Sequence, residues 1–136
     1  MAREAKPRPE GFHSATPYIC VEGAAGAIEF YKKAFGATEL FRHMSPDGRI
    51  QHAQIRIGDS GFMLSDHYPE FGVMKSLQQL GGSPLSIFLY VEDADASAKQ
   101  AVEAGAIEIH PLTDQQYGRS GGYQDPFGLI WWITAP

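Results

Sequence analysis

The chain has 136 residues, 43% of them hydrophobic and 20% charged, with 15 glycines and 9 prolines. That composition fits one globular domain and excludes disorder over most of the length. The net charge of −5 argues against nucleic acid and anionic membranes as partners. No apolar run approaches the roughly 18 residues of a membrane span. The stretch MAREAKPRPEG at the start has no apolar core of a signal peptide, so a cytoplasmic location is expected. One cysteine, Cys20, leaves no disulfide framework and no multi-cysteine zinc site. Aromatic residues, at 12%, are the feature that calls for an explanation.

Residues 1–11 read as a flexible tail. Residues 14–21 alternate toward Val21 and read as a strand. Ala24, Ala27, Ile28, Tyr31, Ala34 and Phe35 recur at helical spacing, and Gly36 stops that helix. A short strand over 38–43 enters the turn Ser45-Pro46-Asp47-Gly48, which leads into a strand over 49–57. The turn at 58–61 opens a last strand over 62–66. The segment 67–83 is a linker, with a short helix predicted over 73–80. Strand, helix and three strands then recur, at 85–91, 94–104, 106–110, 121–125 and 129–134, with Asp93 as helix cap and Pro111 as the stop of a strand. The glycine-rich stretch from Tyr117 to Gly122 reads as a loop able to close over a site, with Arg119 reaching a ligand.

The recurrence is visible residue by residue. YICVEGAAGAIEFYKKAFGATEL and FLYVEDADASAKQAVEAGAIEI align so that Val21 answers to Val91 and Gly36 to Gly105. The chain therefore reads as two βαβββ modules, 12–66 and 84–136, in one domain over 12–136. The expected fold class is α+β, with curved mixed sheets around a cavity.

Strand alternation assigns each side chain a face. Ala53, Ile55 and Ile57 should pack on the helices, as should Ile19, Val21, Ile87, Leu89 and Val91. The opposite face then carries Tyr18, His52, Gln54, Arg56, Phe88, Tyr90 and Trp132. Aromatic rings beside a few polar groups suit a small-molecule pocket better than a wetted sheet surface.

Two βαβββ units, the strings TPYICVEGAAGAIEFYKKAFGATEL, HAQIRIGDSGFMLSD and LYVEDAD, and the turn DPFG resemble the vicinal oxygen chelate superfamily. That superfamily takes in glyoxalase I, extradiol dioxygenases, and the fosfomycin- and bleomycin-resistance proteins; the strings look most like its PhnB-like branch. The resemblance covers about residues 12–136. It implies a homodimer in which units of different chains enclose a site.

Metal-dependent members bind a divalent metal through His, Glu or Gln on the first and last strands of each unit. By the resemblance those positions fall here on Thr16, Ser65, Ser86 and Trp132. Hydroxyls and an indole are poor donors for such a metal. No cofactor is therefore expected, and the lyase, isomerase and dioxygenase activities of relatives are not supported by these four residues. A site built from His52 with Asp66 or His67 is the metal alternative.

Arg56 and His52 would bind an oxygen-rich ligand, and Phe88, Tyr90, Tyr123 and Trp132 would stack on a planar one. Arg56 has an alternative role, pairing with a carboxylate such as Asp66. Nothing marks Cys20 or Ser60 as an activated nucleophile. The expected function is metal-free binding of a small molecule, such as a drug or an aromatic metabolite. A metal-dependent enzyme of the superfamily and a regulatory or stress protein without a small ligand are the alternatives.

Overall fold

The computed structural model describes residues 8–136. The expected tail therefore lies mostly outside the described residues; within it, the Gly11 carbonyl accepts a hydrogen bond of 2.8 Å from the Gly61 amide.

The first module runs β1 (Tyr18–Val21), α1 (Ala24–Phe35), β2 (Thr38–Met44), β3 (Ile50–Ile57) and β4 (Ser60–Asp66). A single 3-10 turn at Pro69–Phe71 and the short helix α2 (Leu77–Leu80) follow. The second module repeats the order as β5 (Ser86–Tyr90), α3 (Ala94–Ala104), β6 (Ile107–Gln115), β7 (Gly118–Gln124) and β8 (Ile130–Ala135). Each module folds into its own four-stranded mixed sheet, β1-β4-β3-β2 and β5-β8-β7-β6. The first strand pairs parallel with the last, and the remaining pairs are antiparallel. This is the tandem α+β architecture expected from the repeat. The two sheets remain separate and open.

Both long helices, α1 and α3, begin on a carboxylate, by different routes. Asp93 caps α3 from its own N-cap position, its side chain accepting from the Ala96 amide at 3.0 Å. α1 has only Gly23 at that position. There Asp66, at the end of β4, accepts from the Gly23 and Ala24 amides at 3.0 and 2.8 Å and from the Ile50 amide at 2.7 Å. One carboxylate thus satisfies orphan donors of a helix start and ties β3, β4 and α1 together. Gly36 closes α1 in the left-handed conformation at φ 68°, as its position predicted.

The strand faces follow the expected alternation. Ile19, Val21, Ala53, Ile55, Ile57, Phe62 and Leu64 are buried toward the helices in the first sheet, as are Tyr123, Trp131, Ile133 and Ala135 in the second. Small residues Ala94, Ala98 and Ala101 let α3 pack against α1, and Gln100 donates to the Lys33 carbonyl at 2.8 Å. One continuous apolar cluster therefore spans both modules. At its centre Trp131 meets Phe35 at 4.5 Å, Tyr31 at 5.5 Å and Phe62 at 5.7 Å between ring centroids.

The DPFG turn explains its own sequence. Asp125 is buried and accepts from the Phe127 and Leu129 amides, from the Tyr31 hydroxyl at 2.7 Å and from the Trp131 indole at 2.9 Å. A carboxylate of the second module thereby holds a helix of the first. Burial, followed by the negative Asp125 beside it, drives the Tyr31 pKa well above the usual tyrosine value.

Three expectations are corrected. β1 begins at Tyr18, so 14–17 precede the sheet. β6 continues past Pro111 to Gln115, with register irregularities on either side of His110; an edge strand tolerates proline at a bulge. The glycine-rich stretch is no closing loop: Gly118–Gln124 is β7, and Arg119 pairs with Asp95 at 2.9 Å and Asp114 at 3.1 Å. The linker is also more ordered than its composition suggested. Ser76 and Gln79 form a capping box on α2, and Gln78 exchanges two 3.0 Å hydrogen bonds with the Glu22 backbone. Among the described residues no helix is long and apolar enough to cross a membrane.

Candidate functional site

The faces turned away from the helices carry most of the residues singled out from sequence. In the first sheet, β1 supplies Tyr18 and β3 supplies His52, Gln54 and Arg56. The Tyr18 hydroxyl lies 3.0 Å from His52 Nδ1, and Gln54 Nε2 lies 3.1 Å from His52 Nε2. An amide nitrogen only donates, so His52 Nε2 accepts and Nδ1 carries the proton given to Tyr18. The Tyr18 hydroxyl is left to donate to the Gln51 carbonyl, 3.5 Å away. This directional chain runs through a neutral imidazole. Burial, with His43 adding to it, lowers the His52 pKa below 6.5. Phe41, half exposed, completes the patch at 6.1 Å from the His52 ring.

Arg56 lies at the far end of β3, its stem beside Gly11. It makes no hydrogen bond or ion pair with another described residue. Asp66, the internal partner considered for it, is occupied by the three amides at the start of α1 and β3. The same occupancy removes Asp66 from a cluster with His52. Among the described residues no three His, Cys, Asp or Glu side chains gather as a metal would require.

In the second sheet, β5 supplies Ser86, Phe88 and Tyr90, and β8 supplies Trp132. The Trp132 indole donates to Ser86 Oγ at 3.1 Å. Its ring stacks beside Phe88, with centroids 6.3 Å apart and planes at 27°. Tyr90 and Tyr117 flank Phe88 at 6.3 and 6.2 Å, and His110 faces Trp132 at 5.9 Å. Phe88, Tyr90 and Tyr117 are exposed by 48%, 74% and 59%. An aromatic group this open on a folded surface is unusual without a ligand or partner to cover it.

Tyr123 lies elsewhere. It is buried on the helix side of β7 opposite Trp131, where its hydroxyl donates to Glu108 at 3.3 Å. Burial and then Glu108 push its pKa up to about 12. Tyr117, Phe41 and His110 belong to the open faces, yet sequence reasoning left them out. Tyr117 sits in the β6–β7 turn and His110 beside a bulge, so alternation could not assign them.

The four positions that correspond to metal ligands in relatives do not form a donor set. Thr16 precedes β1 and its hydroxyl donates to the His13 carbonyl at 3.2 Å. Ser86 is engaged by Trp132. Ser65 is buried opposite Cys20, whereas Met63 pairs with Tyr18 as Trp132 pairs with Phe88. By strand register Met63, two residues earlier, is thus the first-module counterpart of Trp132. A methionine at that place improves nothing for a hard divalent metal. The residues present do not fit the metal.

An uncharacterised protein of Mycobacterium tuberculosis is 44% identical over 124 residues, which cover 89% of this chain and 73% of that protein. The crystal structure of an Arabidopsis thaliana gene product is 27% identical and superposes with a TM-score of 0.74, over 90% of this chain and 98% of the other. TnmS3, an antibiotic binding protein from Streptomyces, shares the fold at 20% identity and a TM-score of 0.67, over 98% and 99% of the two chains. The model of the Glyoxalase/Bleomycin resistance protein/Dioxygenase superfamily matches residues 11–133, and the chain belongs to that superfamily.

Proposed function

We propose that the protein is a metal-free binder of small, planar molecules in the cytoplasm, from the PhnB-like branch of its superfamily. The observation that carries this reading is the pair formed by Ser86 and Trp132. Where catalytic relatives place metal donors, an indole is hydrogen-bonded to a serine and stacked beside an exposed phenylalanine. That arrangement provides a stacking surface and no Lewis acid.

Binding is completed by a homodimer. The two open faces of one chain point away from a shared core, so they do not enclose a ligand between them. A second copy brings the polar patch of Tyr18, His52 and Gln54 over the aromatic patch of Phe88, Tyr90 and Trp132. The ligand then stacks on one wall and hydrogen-bonds to the other, with Arg56 available for an acidic group. TnmS3, described as antibiotic binding, has the same fold. Neither nucleic acid nor membrane enters this reading.

A thermal-shift screen against planar aromatic compounds tests it. Stabilising compounds are expected, with the shift abolished in Trp132→Ala and reduced in Tyr90→Ala. Stoichiometric zinc, nickel, manganese or iron in protein purified without chelators would instead favour a metal enzyme. A wild-type protein that responds to no compound would favour a regulatory role without a small ligand.

A further inference from the structure

Gly122 stands in the middle of β7, where glycine is an unfavourable strand residue. It pairs with Trp132 on β8 and with His110 on β6. A Cβ built on Gly122 would lie 2.8, 3.1 and 3.2 Å from Cζ3, Cη2 and Cε3 of Trp132. The benzo edge of the indole therefore rests directly on the β7 backbone. Its pyrrole nitrogen reaches the other way, to Ser86 Oγ on β5. The ring lies across three strands, gripped at both ends. In the first module the counterparts by register are Gln54 and Met63, which pair across β3 and β4. There the side chain on β3 is kept and the β4 residue is flexible. The second module has deleted the one and flattened the other.

We infer that Ser86 and Gly122 are positioning residues that hold the Trp132 ring flat against the second sheet, making it a fixed shelf on which a planar aromatic ligand stacks. The inference deepens the binding reading and rests on it. A ring already held in place loses little freedom when a flat ligand lands on it, so pre-organisation adds affinity without adding a contact. An indole free to rotate would cover the same area with a weaker grip.

Trp131 is only 1% exposed, so acrylamide-quenchable tryptophan emission reports Trp132. Ser86→Ala and Gly122→Ala are each expected to raise that quenching and flatten the near-ultraviolet circular dichroism. Ser86→Thr, which keeps the hydroxyl, is expected to restore both. Ser86→Ala decides the matter if Gly122→Ala fails to fold. Unchanged quenching and dichroism in Ser86→Ala would overturn the placement of the ring. Acridine, measured by equilibrium dialysis, is the binding probe. Its affinity is expected to fall about tenfold in Ser86→Ala and to recover in Ser86→Thr. Equal affinity in both variants and the wild type would overturn the shelf's role while leaving binding intact. A wild type that fails to bind acridine, in protein whose ring moves as expected, would overturn the binding reading and leave the ring's placement standing.

Discussion

At the scale of single residues, two side chains carry consequences that can be measured. Asp125 is buried, with four donors around it and no cation among the described residues. Replacing it by alanine strands the Tyr31 hydroxyl and the Trp131 indole in an apolar core, so a loss of about 3–5 kcal/mol is expected from urea denaturation. Tyr31→Phe removes one bond to a charged acceptor and is expected to cost about 1.5–3 kcal/mol. His52 makes a pH prediction. Its folded pKa lies below 6.5, so the unfolded chain takes up the proton first as pH falls. Stability is then lost as pH drops below 6.5, down to the folded value, and is unaffected by this group above it. His52→Gln should flatten that limb of a stability-against-pH curve. Much of this scale was readable in advance. His52, Gln54 and Phe88 reach the open faces because alternation along a strand is rigid. Tyr123 stands on the other side, opposite Trp131, because the two glycines before it carry no side chains whose alternation would assign the strand a face.

At the scale of elements, the repeat predicted the order of strands and helices, and the helix-stop glycines fell where expected. What it missed in β6 and β7 has a physical origin. β6 and β7 violate strand propensity, with Pro111 in one and Gly121-Gly122 in the other. Pairing and close packing override propensity there, and a local reading sees only the propensity. The cap of α1 was equally invisible, because the carboxylate comes from Asp66, remote in sequence from Gly23. Asp66→Asn keeps one acceptor and loses the charge at the helix start. It is expected to destabilise the protein by about 1–2 kcal/mol, with faster amide exchange at Gly23, Ala24 and Ile50. An unchanged exchange pattern would show that the first module does not depend on this clasp. The Arg49 guanidinium, clamped between Asp47 and Glu70 and stacked over Tyr68, fixes the β2–β3 turn against the linker. It holds both carboxyls down to about 2.

At the scale of the molecule, the apolar core is single and the polar and aromatic patches lie outside it. A chain built this way has its stability inside and leaves its two open faces unshared. The dimer expected to join those surfaces should appear as a two-chain species in sedimentation at micromolar concentration. A monomer under those conditions would leave the aromatic patch without its facing wall. The sequence showed which residues share a face, because that is a matter of parity. It did not show that the faces diverge, because that depends on how α1 and α3 pack between the sheets.

The bond from Tyr31 to Asp125 also breaks the internal symmetry of the two modules. It runs in one direction only. At the matching place α3 has Gln100 and Ala101, and Gln100 is spent on the Lys33 carbonyl. The matching turn of the first module offers Asp59, which is exposed and, among the described residues, is bonded through its side chain to Ser60 alone. Two copies of the first half would lack the buried acceptor, and two copies of the second would lack the phenol. Only the pairing of the two unlike halves makes this bond.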